Sequence, residues 1–185
     1  MNQSAIWNES ELRIIHSEQV PMRILTINNE EENRILRSQC EDLTDEQLKS
    51  EEFRTLVQKM LATVDYPNSG GVGVAAPQIG LNKRIVALQR QDKRDKPFEV
   101  YANIRIIEYK GDKQRGREGC LSVPGKRGFV ERYRNIRVQY TDLETLEVKT
   151  ERIKGYTAVI FQHECEHLDG KLYIDQCDEL IDFAD

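Results

Sequence analysis

Four β-rich stretches follow one another between Arg84 and Ile153, and most of the links between them are too short to hold a crossover helix. Arg84–Gln89 carries Ile85, Val86, Ala87 and Leu88, and Glu99–Tyr109 carries Val100, Tyr101, Ile104, Ile106 and Ile107. Asn135–Tyr140 alternates Ile136, Val138 and Tyr140, and Leu146–Ile153 sets Leu146 and Val148 two apart. These residue types at these spacings predict strands, with Thr141–Glu144 as a hairpin connection. A parallel pair needs a crossover of about a dozen residues or more, so the strands are expected to be largely antiparallel. Helical signals bracket them. Thr44 with Gln47 fits a capping box, and Phe53, Leu56, Val57, Met60, Leu61 and Val64 share one face. One helix is therefore expected from about Thr44 to Val64, broken by Tyr66-Pro67-Asn68-Ser69-Gly70-Gly71. A second is expected from about Thr157 to Leu168, with Gly170 as its stop. Helix, strands, helix is the order of an α+β fold.

The length of 185 residues fits one domain at 21–185 preceded by an extension at 1–20. The extension is polar, although Ile14, Ile15 and Val20 could pack on the body. His16 is expected at its surface, and Trp7 belongs to no motif. Lys and Arg total 27 against 32 Asp and Glu, a net charge of −5. That balance argues against binding nucleic acid through a broad basic face, and the run Lys126, Arg127, Arg132, Arg134 reads as a solvated surface. No apolar run approaches the ~20 residues of a membrane helix. The first twenty residues carry Glu9, Glu11 and Glu18 and lack the basic and apolar regions of a secretory signal. A cytoplasmic protein is expected, with its four cysteines reduced.

Chemistry concentrates in His163-Glu164-Cys165-Glu166-His167, an H-E-x-x-H string inside the second helix. Residues four apart lie about 40° apart around a helix, so both imidazoles share one face and can hold one metal ion. A catalytic metal of this kind takes about three protein ligands and keeps a position open for water. The third ligand has three sources: an acid between Asp169 and Asp185, a further histidine, or a cysteine. No histidine follows His167, and few residues remain in which an acid could fold back. Cys120 lies in a Gly-containing segment, read as a loop, from Arg117 to Pro124. Glu164 and Glu166 flank the mean histidine direction by about 80° on opposite sides, so angle alone does not say which carboxylate faces a metal. Cys165 points away and is expected to pack, and Cys40 and Cys177 read as plain thiols.

Three motifs in this order resemble those of the peptide deformylases. They are Gly71-Val72-Gly73-Val74-Ala75-Ala76-Pro77-Gln78, Glu118-Gly119-Cys120-Leu121-Ser122 and His163-Glu164-Cys165-Glu166-His167, and the likeness runs from about Pro21 to Asp175. It implies largely antiparallel sheets packed around a central helix that carries the H-E-x-x-H motif. It implies Cys120, His163 and His167 as metal ligands and Glu164 as general base. It also implies that the Leu121 backbone N–H and the Gln78 amide stabilise an oxyanion. With less force it points to Gly71, Val72, Gly73, Glu118, Gly119, Arg127, Tyr156, Val159 and Ile160 as substrate-binding residues. Gly71 and Gly73 would let a substrate backbone come close, and Arg127 would contact it.

The implied substrate is a nascent peptide with N-formyl-methionine, cleaved to formate and a free amine. The protein would be a monomer working near the ribosomal exit tunnel. The implied ion in the cell is Fe(II), with zinc, nickel or cobalt able to take its place in a purified sample. Ligand preference alone would favour zinc over ferrous iron. The family carries Asp where this chain has Glu166. That departure keeps a second reading open, a non-catalytic paralogue that binds formylated N-termini or the ribosome. A third reading, a metallopeptidase of the H-E-x-x-H kind, would have no use for Cys120.

Overall fold

A computed structural model describes residues 6–67 and 69–183. Among the described residues, eight strands run in chain order: β1 (Gly73–Ala75), β2 (Ile85–Gln89), β3 (Phe98–Tyr109), β4 (Lys113–Cys120), β5 (Val123–Tyr133), β6 (Asn135–Thr141), β7 (Val148–Lys154) and β8 (Glu179–Asp182). They make a five-stranded sheet, β1-β2-β3-β6-β7, and a three-stranded sheet, β4-β5-β8. Every strand pair is antiparallel. The helices are α1 (Glu9–Ile15), α2 (Glu30–Leu36), α3 (Asp45–Lys49), α4 (Glu51–Val64) and α5 (Gly155–Leu168). The fold is α+β, with α5 in contact with strands of both sheets. Among the described residues, no helix is long and apolar enough to cross a membrane.

The large sheet follows the apolar pattern of the chain. β2 is buried on both faces, which is why it reads as a continuous apolar run. Ile85 and Ala87 pack with Phe53, Leu56 and Met60 of α4, whereas Val86 and Leu88 pack with Ala158 and Phe161 of α5. Leu146 is not in a strand. It sits in the β6–β7 turn at φ +60, where Asp142 accepts hydrogen bonds from the Glu144 and Thr145 N–H groups.

The second sheet has no expected strand in the sequence, and its Arg117–Pro124 stretch is expected to be a loop. β4 (KQRGREGC) and β5 (VPGKRGFVERY) are rich in charge and glycine, so no apolar alternation marks them. They form strands because they pair with each other from Lys113↔Tyr133 to Glu118↔Gly128. Cys120 is the last residue of β4 rather than a loop residue.

The helix expected from Thr44 to Val64 is two helices. Ser50 is extended at φ −69, ψ 157 and serves both. Its hydroxyl donates to Gln47 O at 2.7 Å and accepts from Phe53 N at 3.2 Å, ending α3 and capping α4. The Thr44–Gln47 capping box is present but opens α3 alone. Trp7 Nε1 donates to Ser50 Oγ at 3.0 Å, and the Trp7 ring is buried with Ile15 against α4. Val20 and His16 are exposed.

α5 is buried almost all round because both sheets pack against it. It ends at Gly170, which has φ +71. A Cβ there would lie 2.3 Å from Arg37 O, so both conformation and space require glycine.

Candidate active site

The end of β4 meets the middle of α5. This puts the sulfur of Cys120 3.3 Å from His167 Nε2. The ligand atoms of Cys120, His163 and His167 all lie within 4.8 Å of one another. Glu118, two residues before Cys120, takes His163 Nδ1 at 2.9 Å. That fixes the ring and leaves Nε2 as the nitrogen available to a metal.

Arg132 holds Glu118 in turn. Its Nε and Nη2 donate to the two Glu118 oxygens at 2.8 and 3.0 Å, and Nη1 donates to Glu166. Arg132 is 3% exposed, so the basic run read as a solvated face is solvated only in part. Its inward direction had a sequence signal, the alternation Gly128, Val130, Arg132 along β5. Two partners had none. Tyr173 stacks on the His163 ring at 6.0 Å, and Gln176 donates to both Glu166 oxygens at 2.7 and 2.8 Å.

The electrostatics follow from burial and neighbours. Burial alone would raise the Glu118 carboxyl, but bonds from His163 and Arg132 outweigh it and hold it at about 2. Burial, with the His163 charge nearby, keeps His167 well below the usual imidazole value, so it is a neutral nitrogen donor. Burial also opposes charge on His163, yet Cys120 and Glu118 beside it raise it well above that value. The surroundings that hold a proton there are the surroundings a divalent cation would meet.

Glu164 is 4% exposed, and burial pushes its carboxyl up to about 7. Its Oε2 has no hydrogen-bond partner, which marks a group kept for something outside the chain. Gly73 makes room for it, because a Cβ at 73 would lie 2.4 Å from Glu164 Oε1. The missing side chain thus faces Glu164. Gly71 faces Leu121, whose Cδ1 would lie 3.2 Å from a Cβ at 71.

Gln78 comes from a 3-10 turn, Ala76–Ile79, directly after β1. Its Oε1 accepts from Ala75 N at 2.9 Å, which turns Nε2 toward Ser122 Oγ at 3.1 Å and Cys120 Sγ at 3.5 Å. A neutral amide donor therefore stands beside the sulfur.

These groups open on a cleft of about 630 Å3. Gly71, Val72, Gly73 and Gln78 line one side, and Glu118, Gly119, Cys120, Leu121 and Arg127 line another. α5 contributes Tyr156, Val159, Ile160, His163 and Glu164. His167 is 1% exposed, behind Cys120, and does not line the cleft. Glu166 does not line it either. All four cysteines are unbonded. Burial raises the Cys40 thiol to about 12 and Cys165 higher still, so neither is a nucleophile.

A sulfur, an imidazole, a raised carboxyl and an amide donor on one cleft, with a second imidazole beside the sulfur, suit a hydrolase that works on a carbonyl group. Comparison with known proteins narrows the class. Residues 21–182 match the polypeptide deformylase family. A peptide deformylase of Leptospira biflexa is 38% identical over 78% of this chain and 83% of its own length. One of Finegoldia magna is 45% identical over 67% of this chain and 74% of its own. The actinonin-bound crystal structure of a class I type b peptide deformylase from Acinetobacter baumannii aligns with TM-score 0.74 and 31% identity. It covers 86% of this chain and all of that one. The Thermotoga maritima peptide deformylase aligns with TM-score 0.75 and 28% identity, over 88% of this chain and all of that one. The chain belongs to the polypeptide deformylase family and is an enzyme.

Proposed function

We propose that this enzyme removes the formyl group from N-formyl-methionine at the start of nascent peptides, in the cytoplasm, with a metal ion held by Cys120, His163 and His167. The observation that carries the reading is the convergence of these three donors beside Glu164 and the Gln78 amide. The donor set fits an ion: one soft sulfur, one neutral imidazole, and one imidazole oriented by a carboxylate. An ion bound there acidifies water and polarises the formyl carbonyl.

The chain's own groups do the rest. Glu164 takes the proton from the attacking water and later gives it to the leaving amine, a task that suits a carboxyl raised to about 7. Gln78 Nε2 donates to the oxyanion, and the Leu121 backbone N–H is its second donor. Val72, Tyr156, Val159 and Ile160 offer the apolar surface that a flexible methionine side chain needs. A further crystal structure of the Acinetobacter baumannii deformylase has Met-Ala-Ser bound, which supports the same substrate class for this chain. Glu166 stands clear of the cleft, which weakens the case for a non-catalytic binder. The ion proposed for the cell is Fe(II).

The test is formate release from formyl-Met-Ala-Ser by protein prepared anaerobically with Fe(II), with a zinc-loaded sample beside it. Rapid release, faster with iron, is expected. No release from protein with metal bound would overturn the reading.

A further inference from the structure

β8 keeps little of itself out of water. Leu180 and Ile181 are 48% and 40% exposed. The strand is nonetheless tied down. It pairs with β5 from Lys126↔Asp182 to Phe129↔Glu179. Arg115 bonds Asp178 at 3.0 Å and Glu179 at 3.2 Å, and Lys126 pairs with Asp182. Burial of its own side chains does not account for this attachment; the ladder and the ion pairs do, and the residue just after the strand adds to them.

Phe183 N–H donates to Gly125 O at 2.8 Å. Its ring centre lies 4.8 Å from the Arg127 guanidinium carbon. The same guanidinium packs on Gly119, where a Cβ would lie 2.1 Å from Nη1 and 2.6 Å from Cζ. Gly119, Gly125 and Arg127 all line the cleft. Among the described residues, the guanidinium meets this ring, the bare backbone at Gly119 and one hydrogen-bond acceptor, Lys126 O, at 3.3 Å from Nη1. With one donor so engaged, most of the guanidinium's five N–H donors remain for a ligand.

We propose that Phe183 is a positioning residue for the peptide substrate, its ring pinning Arg127 against Gly119 at the wall of the cleft. The proposal rests on the reading that this is a deformylase whose Arg127 contacts the substrate backbone. It assigns the C-terminal strand a purpose: β8 delivers the ring that sets the arginine.

The test is steady-state kinetics on formyl-Met-Ala-Ser with Phe183→Leu, Phe183→Trp, Arg127→Met and the Phe183→Leu/Arg127→Met double variant. Phe183 is 41% exposed, so changes at that position leave the core alone. Phe183→Leu keeps an apolar group but removes the π face. It should raise KM about two- to fivefold, the worth of a cation–π contact at an exposed site, with kcat unchanged within about twofold. Phe183→Trp should retain the parental KM. In the Arg127→Met background, Phe183→Leu should add nothing. An unchanged KM in Phe183→Leu would overturn the proposal, and so would the same rise in the absence of Arg127. A parental KM in Arg127→Met would remove Arg127 from substrate binding and the proposal with it. A parent without turnover would sink the functional reading as well, which separates that failure from one confined to Phe183.

Discussion

At the scale of single residues, the site was legible where chemistry demands rare types at fixed spacing. Two of the three histidines lie four apart on a helix, and a cysteine lies two residues after a glutamate. What stayed hidden is how the groups hold each other. The burial of Arg132 depends on Glu118, which its side chain reaches from β5 although the ladder pairs Arg132 with Gln114 and Glu118 with Gly128, and no local pattern announces a contact between strands that themselves went unread. Gly73 shows a related limit. The motif names the glycine, but only the fold shows that Glu164 occupies the space of its missing side chain. Gly73→Ala should therefore displace the Glu164 carboxylate, since backbone at 73 and a buried helix at 164 give little. We expect kcat to fall at least about tenfold, with thermal unfolding lowered by no more than about 3 kcal/mol. Parental kcat in a folded Gly73→Ala variant would show that the Glu164 position is not critical.

At the scale of elements, apolar periodicity located β2, β3, β6, β7 and the buried face of α4. It failed in two ways. It ran α3 into α4, because the break at Ser50 is made by one extended residue with a double hydrogen bond and no glycine or proline. Ser50→Ala should cost about 1 kcal/mol in denaturant unfolding, with Trp7 Nε1 also losing its acceptor. An unchanged midpoint would mean that the junction holds without its cap. Periodicity also missed β4 and β5, whose cohesion comes from the backbone ladder and cross-strand charge.

A second tie between elements lies at the far end of β2. Arg90 is 2% exposed and bonds Asp92, Glu99 and Glu151, the last two on β3 and β7. Its hydrogen bonds hold the Asp92 carboxyl at about 2, below its ordinary 3.8. A lowered carboxyl stabilises the fold above the unfolded value near 3.8, and that contribution disappears as pH falls through 2. Asp92→Asn should therefore be about 1–2 kcal/mol less stable than the parent at pH 5, after allowance for partial exposure. The gap should close near pH 2. A gap that persists at pH 2 would assign the loss to something other than the carboxylate charge.

At the scale of the whole molecule, one buried helix is shared by two sheets, and the cleft opens where they meet. The large sheet sets α5 in place, with α4 packed on its other face, and the small sheet brings Cys120 and Glu118 to it. This division explains why the fold class was readable while the site's full geometry was not: the large sheet is written in apolar residues, the small one in pairing. The account's central claim is that Glu164 moves protons while Cys120, His163 and His167 hold the ion. The most direct test is metal content and formate release measured together on Glu164→Ala. The account predicts one bound metal per chain, as in the parent, with turnover reduced by about two to four orders of magnitude. Full turnover in that variant, or a metal lost with the side chain, would contradict it.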